Sequence, residues 1–348
     1  MLQENVEGKW IDCFEKSFTL SGVSAGETIA ILSESQSRPV LVELSELALL
    51  RIGAKPVHVR VPSPKLKDPV PVRSTGSCYA FEGYETILPM LSACDLIIDC
   101  TVEGMLHSKE SQTILQGGGR IFMISNEHPE VLERCMPDPS LKPKVEKSLE
   151  LLDKSKIMQV TSPAGTDLTV EIKDAPCRAG AGFLEPGAKV AYWPAGLALF
   201  FPLENTVNGR VVLDVGDVNL TFKRYFETQV TLVIENDFVT AIEGDGLDAQ
   251  LMRSYYEGWN DPNAYAISHV GWGLNPGARW DALMMYDKTQ VNCTELRALP
   301  GSFLISTGAN EFAGRYTNCH FDLPMRNCSV SLDGQEIIKA GDLLPPLA

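Results

Sequence analysis

Near the end of the chain, Asn318-Cys319-His320-Phe321-Asp322-Leu323-Pro324 places a histidine and a carboxylate two residues apart in an apolar run. Alternate side chains of a strand point to the same face, so His320 and Asp322 would project together. A second histidine, His269, stands in Ala266-Ile267-Ser268-His269-Val270-Gly271-Trp272-Gly273, another apolar run that reads as extended. Two imidazoles and one carboxylate, with other positions open, are the donor set of a mononuclear non-haem Fe(II) centre that takes O2 and a substrate together. Asp214 and Asp217, in Leu213-Asp214-Val215-Gly216-Asp217, form a rival carboxylate cluster. Taken alone, these residues predict a metal site in the second half of the chain.

The other three of the five histidines divide by setting. His58 lies beside Arg60 in a strand-like run, and His128 precedes Pro129; both read as ordinary imidazoles at the edge of the core. His107 follows Leu106 at the start of a helix, beyond a strand that ends at Asp99. That is the carboxyl end of a parallel strand, where open α/β sheets place their ligands. Trp193 and Trp272 are either flat walls of a pocket or core packing.

The elements that must position these groups fall into two textures. Thr28–Leu32, Pro56–Val59, Leu96–Asp99 and Arg120–Ile124 read as strands. Helical patterns at Leu41–Leu50, Tyr84–Leu91 and Ser108–Leu115 alternate with them. Strands separated by helices of about ten residues predict a parallel, doubly wound sheet. Gly117-Gly118-Gly119 follows a helix and lacks GxGxxG spacing, so it reads as a helix end and a turn rather than a nucleotide site. Glu146–Leu152 reads as a last helix before the texture changes. Beyond it, Met158–Val160, Leu168–Ile172, Val211–Val215 and Val230–Ile234 are closely spaced strands divided by Gly and Asn/Asp turns, with one helix around Ala249–Glu257. The expectation is an α/β, Rossmann-like domain over residues 1–155 and a β-rich α+β metal-binding domain over 156–348.

Length and composition set the limits. A chain of 348 residues exceeds one typical core, and 44% hydrophobic with 22% charged residues is globular. No run reaches the eighteen or so apolar residues of a membrane span, and no signal peptide is visible. Nine scattered cysteines without CxxC spacing fit reduced thiols in a cytoplasm. A net charge of −15 repels a phosphate backbone, which excludes nucleic acid and leaves a small molecule as the expected partner.

At these same residues the chain resembles the 2,5-dihydroxypyridine 5,6-dioxygenases, ring-cleaving enzymes of nicotinate catabolism. The resemblance is carried by Ile267–Leu274 and Cys319–Cys328, with further matches at Leu213–Asp217, Phe303–Gly308 and Met105–Ser108. It implies that His269, His320 and Asp322 hold Fe(II), that His107 and Ser306 line the pocket, and that the chain forms a homo-oligomer. The implied reactants are O2 and a hydroxylated N-heterocycle or a close aromatic analogue, cleaved in the extradiol manner to N-formylmaleamate when the ring is 2,5-dihydroxypyridine. One position departs: the family pattern has His-Trp-Pro where this chain has Tyr192-Trp193-Pro194. A tyrosine with an ordinary pKa near 10 is a poor base at neutral pH, so Tyr192 either orients the substrate or marks a different one. The fold also resembles the thermophilic metalloaminopeptidases, which makes a divergent hydrolase the alternative. Their Pro-x-Gly-Glu motif reads Pro194-Ala195-Gly196-Leu197 here, with leucine in place of a metal-binding glutamate, and His269 stands where their second glutamate would be.

Overall fold

The structure, a computed structural model, describes residues 5–65 and 78–348. Five parallel strands form one sheet in the order Lys55–Val61, Thr28–Glu34, Leu96–Asp99, Ile121–Ile124, Val190–Trp193. Helices Pro39–Ile52 and Lys109–Gln116 supply crossovers, as the alternation of apolar runs predicts. Strand order reverses between Thr28–Glu34 and Leu96–Asp99, and the loop that leaves the carboxyl end of Leu96–Asp99 carries His107 to the site described below.

Three features of this half differ from the sequence reading. The pattern at 84–91 is a 3-10 turn, Glu85–Ile87, running into a short α-helix, Leu88–Ser92, with Pro89 in the first turn where its missing N–H costs little. A helix at Gly8–Leu20 was not anticipated; its Trp10, Phe14 and Phe18 side chains are buried against Phe122 and Trp193. The fifth strand, Val190–Trp193, comes from the part of the chain after residue 155. At four residues it is too short to show a period.

The rest of the chain is mostly antiparallel. An eight-stranded sheet runs from Phe238–Glu243 to Asp342–Leu343, and a five-stranded one carries the chemistry. Its order is Arg315–Met325, Phe303–Asn310, Ile267–Gly273, Leu197–Phe200, Cys177–Gly180. One face of its first three strands, including Cys319, Phe321, Leu323, Phe303, Ile305, Val270 and Trp272, is buried in a core with helix Leu247–Trp259. Tyr255 stacks on Phe321 at 4.7 Å, and Tyr256 shares a 2.8 Å hydrogen bond with Thr307. Burying such side chains stabilises the sheet by about 1.5–3 kcal/mol each. Trp193 and Trp272 are both wholly buried, their indole N–H groups donating to Cys135 O and Ser148 Oγ, so both are core residues and not pocket walls.

Candidate metal centre

The face of the five-stranded sheet opposite the core carries a row of polar side chains. In the antiparallel register His269 lies opposite Ser306, and Ser306 lies opposite Asp322, so three neighbouring strands each place one group in line. His320 joins from two residues before Asp322, as strand periodicity predicts. Its cross-strand partner is Gly308 at φ +116°, where a Cβ would stand 2.0 Å from Cys319 O, so only glycine lets the strands close.

His269 reaches this face through a β-bulge. Ile267 pairs with Thr307 and His269 with Ser306, leaving Ser268 as the extra residue. Regular alternation would put Ile267 and His269 on one side. The bulge keeps Ile267, Val270 and Trp272 in the core while turning His269 the other way. Ser268 Oγ anchors the bulge by donating to Ala309 O at 2.5 Å.

Nε2 of His320 lies 3.3 Å from Asp322 Oδ1 and Nε2 of His269 lies 3.7 Å from it. One ligand atom from each residue falls within 4.8 Å of the others, and among the described residues this is the one such group of His, Cys, Asp and Glu. All three are buried. A cation bound at about 2.1 Å sets donors at tetrahedral to octahedral angles about 3.0–3.4 Å apart, so the spacing fits a single ion. Burial, opposed by Asp322, takes His269 down to about 3, and its Nδ1 is buried without a hydrogen-bond partner. At neutral pH this is an uncharged imidazole facing a carboxylate, an arrangement that a cation between them completes.

Asp322 is held from two sides. Ser306 Oγ donates to Oδ1, and the Arg297 guanidinium lies in ionic contact with Oδ2. Burial alone would push the Asp322 carboxyl up; Arg297, then His320 and His269, outweigh it and hold it well below the usual carboxylate range. His107, on the loop after Leu96–Asp99, places its ring 5.4 Å from that of His320 and remains open to solvent. The protein packed around its ring, and then His320, lower its pKa, with Asp322 opposing. Its loop is fixed by Asp99, which accepts hydrogen bonds from Thr101 N, Thr101 Oγ1 and Met105 N, and by Glu34, which accepts from Val102 N. Tyr192, at the carboxyl end of the parallel sheet, is pushed well above its ordinary pKa by burial, with Arg297 opposing. Its hydroxyl sits where Gly180 has no side chain: a Cβ there would stand 3.2 Å from it.

The pattern of the 2,5-dihydroxypyridine 5,6-dioxygenase family matches residues 9–345. The 2,5-dihydroxypyridine 5,6-dioxygenase of Pseudomonas putida (strain KT2440) is 36% identical over 339 residues, 96% of this chain and 95% of that protein. The chain belongs to the 2,5-dihydroxypyridine 5,6-dioxygenase family. The solved structure of 2,5-dihydroxypyridine dioxygenase from Pseudomonas putida KT2440 superposes with a TM-score of 0.91 at 36% identity, covering 99% of each chain. Wild-type AmpT from Thermus thermophilus superposes with a TM-score of 0.65 at 12% identity over 97% of this chain and 99% of that one, which shows the fold alone.

In this member of the dioxygenase family, the sequence-predicted residues His107, His269, Ser306, His320 and Asp322 meet at one place, with Tyr192 beside Arg297. Ser306 is wholly buried and spends its hydroxyl on Asp322. The rival carboxylates lie elsewhere: Asp217 accepts from Asp214 N and Arg326 N, and Asp214 accepts from Gln229. Leu197 is buried in its strand and offers no donor, so no second cation site forms among the described residues. His58 pairs with Glu46 at the surface, and His128 caps the helix Pro129–Arg134. Arg297 was missed, because nothing in Thr294-Glu295-Leu296-Arg297 marks that cation as facing a site. Among the described residues no helix is long and apolar enough to cross a membrane.

Proposed function

We propose that the chain is an Fe(II)-dependent, extradiol-type ring-cleaving dioxygenase acting on a hydroxylated N-heterocycle, with 2,5-dihydroxypyridine as the first substrate to test. The observation that carries this reading is the convergence of His269, His320 and Asp322 on one point in a chain of this family. His269, His320 and Asp322 would hold an Fe(II) ion there, and that ion would supply the redox chemistry that a reaction between an aromatic ring and O2 needs.

The chain's own residues supply orientation and proton handling. Arg297 keeps Asp322 ionised and, with Ser306 on the other oxygen, fixes the rotation of its carboxylate. His107, uncharged and accessible beside His320, is the group placed to accept a hydrogen bond from a ring hydroxyl as it binds. Tyr192 stays protonated at neutral pH and therefore donates a hydrogen bond to a substituent of the ring. Burial of the three donors excludes water from the metal side. Iron-loaded protein, prepared without oxygen, should consume O2 with 2,5-dihydroxypyridine and yield N-formylmaleamate by mass analysis. Equal turnover with Zn(II), which has no redox chemistry, or release of amino acids from peptides without O2 uptake, would refute the proposal.

A further inference from the structure

Glu127 is wholly buried just past the strand Ile121–Ile124, at the carboxyl edge of the parallel sheet. Its carboxylate meets the segment 292–294. Oε2 accepts hydrogen bonds from Asn292 N at 3.1 Å and Cys293 N at 3.2 Å, and Oε1 accepts from Thr294 N at 2.7 Å and Ser125 Oγ at 3.3 Å. Three successive backbone N–H groups converge because Cys293 adopts φ +61°, and such a turn is an anion-binding nest. Here the anion is a side chain of the chain itself. Thr294 then opens the 3-10 turn Thr294–Arg297, whose last residue puts its guanidinium on Asp322. From the same segment Asn292 Nδ2 donates to Val102 O at 2.9 Å, in the loop that carries His107.

We propose that Glu127 is a positioning residue for the metal centre: by filling the nest at 292–294 it sets the height of Arg297, and so the rotation of Asp322. This rests on the reading of His269, His320 and Asp322 as metal ligands. A charge-assisted contact to three backbone donors is stronger than neutral hydrogen bonds, and no other carboxylate among the described residues reaches these N–H groups. A glutamine would keep the shape but turn an NH2 toward donors on one side. The turn would loosen and Arg297 would drift from the carboxylate it orients.

The test is a double-mutant cycle on metal affinity, read by anaerobic titration with Co(II) or Fe(II) and independent of turnover. Arg297→Met, which removes an outer partner of a ligand, should weaken affinity by about 10–100-fold. Glu127→Gln should weaken it by at least about threefold in the wild-type background and by less than twofold when Arg297 is already methionine, because the two act in series. A purely structural role would instead give losses that multiply. Multiplying losses, or wild-type affinity in Glu127→Gln, overturn the inference. A wild-type chain that binds neither ion overturns the metal-centre reading and the inference with it. If Glu127→Gln does not fold, Glu127→Asp, one methylene short of the nest, replaces it in the same cycle with the same expected pattern.

Discussion

Asp322→Asn keeps the shape of the side chain and removes its charge, and the structure assigns it two separable consequences. Without metal, Arg297 loses its counter-charge. The guanidinium side is 11% exposed and the carboxylate is wholly buried. Stripping one partner from a buried pair costs about 3–5 kcal/mol, and the residual exposure of Arg297 places this near about 3 kcal/mol. For a unit of 150–250 residues each kcal/mol lowers the melting midpoint by about 2–4 °C, so the metal-free variant should melt about 6–12 °C below wild type. With metal, a ligand present at 100 times its Kd adds about 2.7 kcal/mol to the native state alone, so wild type should gain about 5–10 °C. The variant, lacking the anionic donor between His320 Nε2 and His269 Nε2, should gain nothing. Calorimetry of both proteins, with and without Fe(II) under nitrogen, reads both numbers. A variant that melts with wild type and still rises with iron would refute the assignment of Asp322 and of the Arg297 contact.

Gly308→Ala, which forces a Cβ to within 2.0 Å of Cys319 O at φ +116°, should disrupt the pairing that presents His320; loss of metal binding in purified protein would confirm it. Gly180→Ala brings a methyl to 3.2 Å from the Tyr192 hydroxyl and displaces it by a few tenths of an ångström. That strain of about 0.5–1.5 kcal/mol should appear as a rise of about two- to tenfold in KM, with metal affinity unchanged. Tyr192→His should alter the ranking of hydroxypyridines in oxygen uptake while iron content stays at the wild-type level. Burial raises Asp217 to about 6 from an unfolded value near 3.8. The native state therefore retains a proton that the unfolded chain has released between those values. Stability from this group is full below about pH 4 and is lost as pH rises through about 6, by at most about 3 kcal/mol. Asp217→Asn should flatten that part of a melting-temperature against pH curve.

What the sequence disclosed follows how local each determinant is. His320 and Asp322 were legible because two residues on one strand share a face whatever that strand pairs with. The crossover helices and parallel strands were legible because an apolar run and a helical period each fit within a dozen residues. His269 could be named but not aimed, since simple alternation would have placed it with Ile267 in the core. The bulge at Ser268 reverses that, and a bulge is a property of two strands together. Arg297, Glu127 and the edge strand Val190–Trp193 were illegible for the same reason, because each acquires its role only from a partner far away in the chain.

The register that lines up His269, Ser306 and Asp322 is the one that buries Phe303, Ile305, Phe321 and Leu323 on the other face. A slip of one residue in Arg315–Met325 would turn His320 and Asp322 into the core and those apolar side chains toward the pocket, exposing two large groups and burying an unpaired carboxylate. The core therefore specifies where His269, His320 and Asp322 lie. That packing brings one ligand atom from each of the three residues within 4.8 Å of the others. The packing of one face supplies the energy that holds the other ready for its ligand.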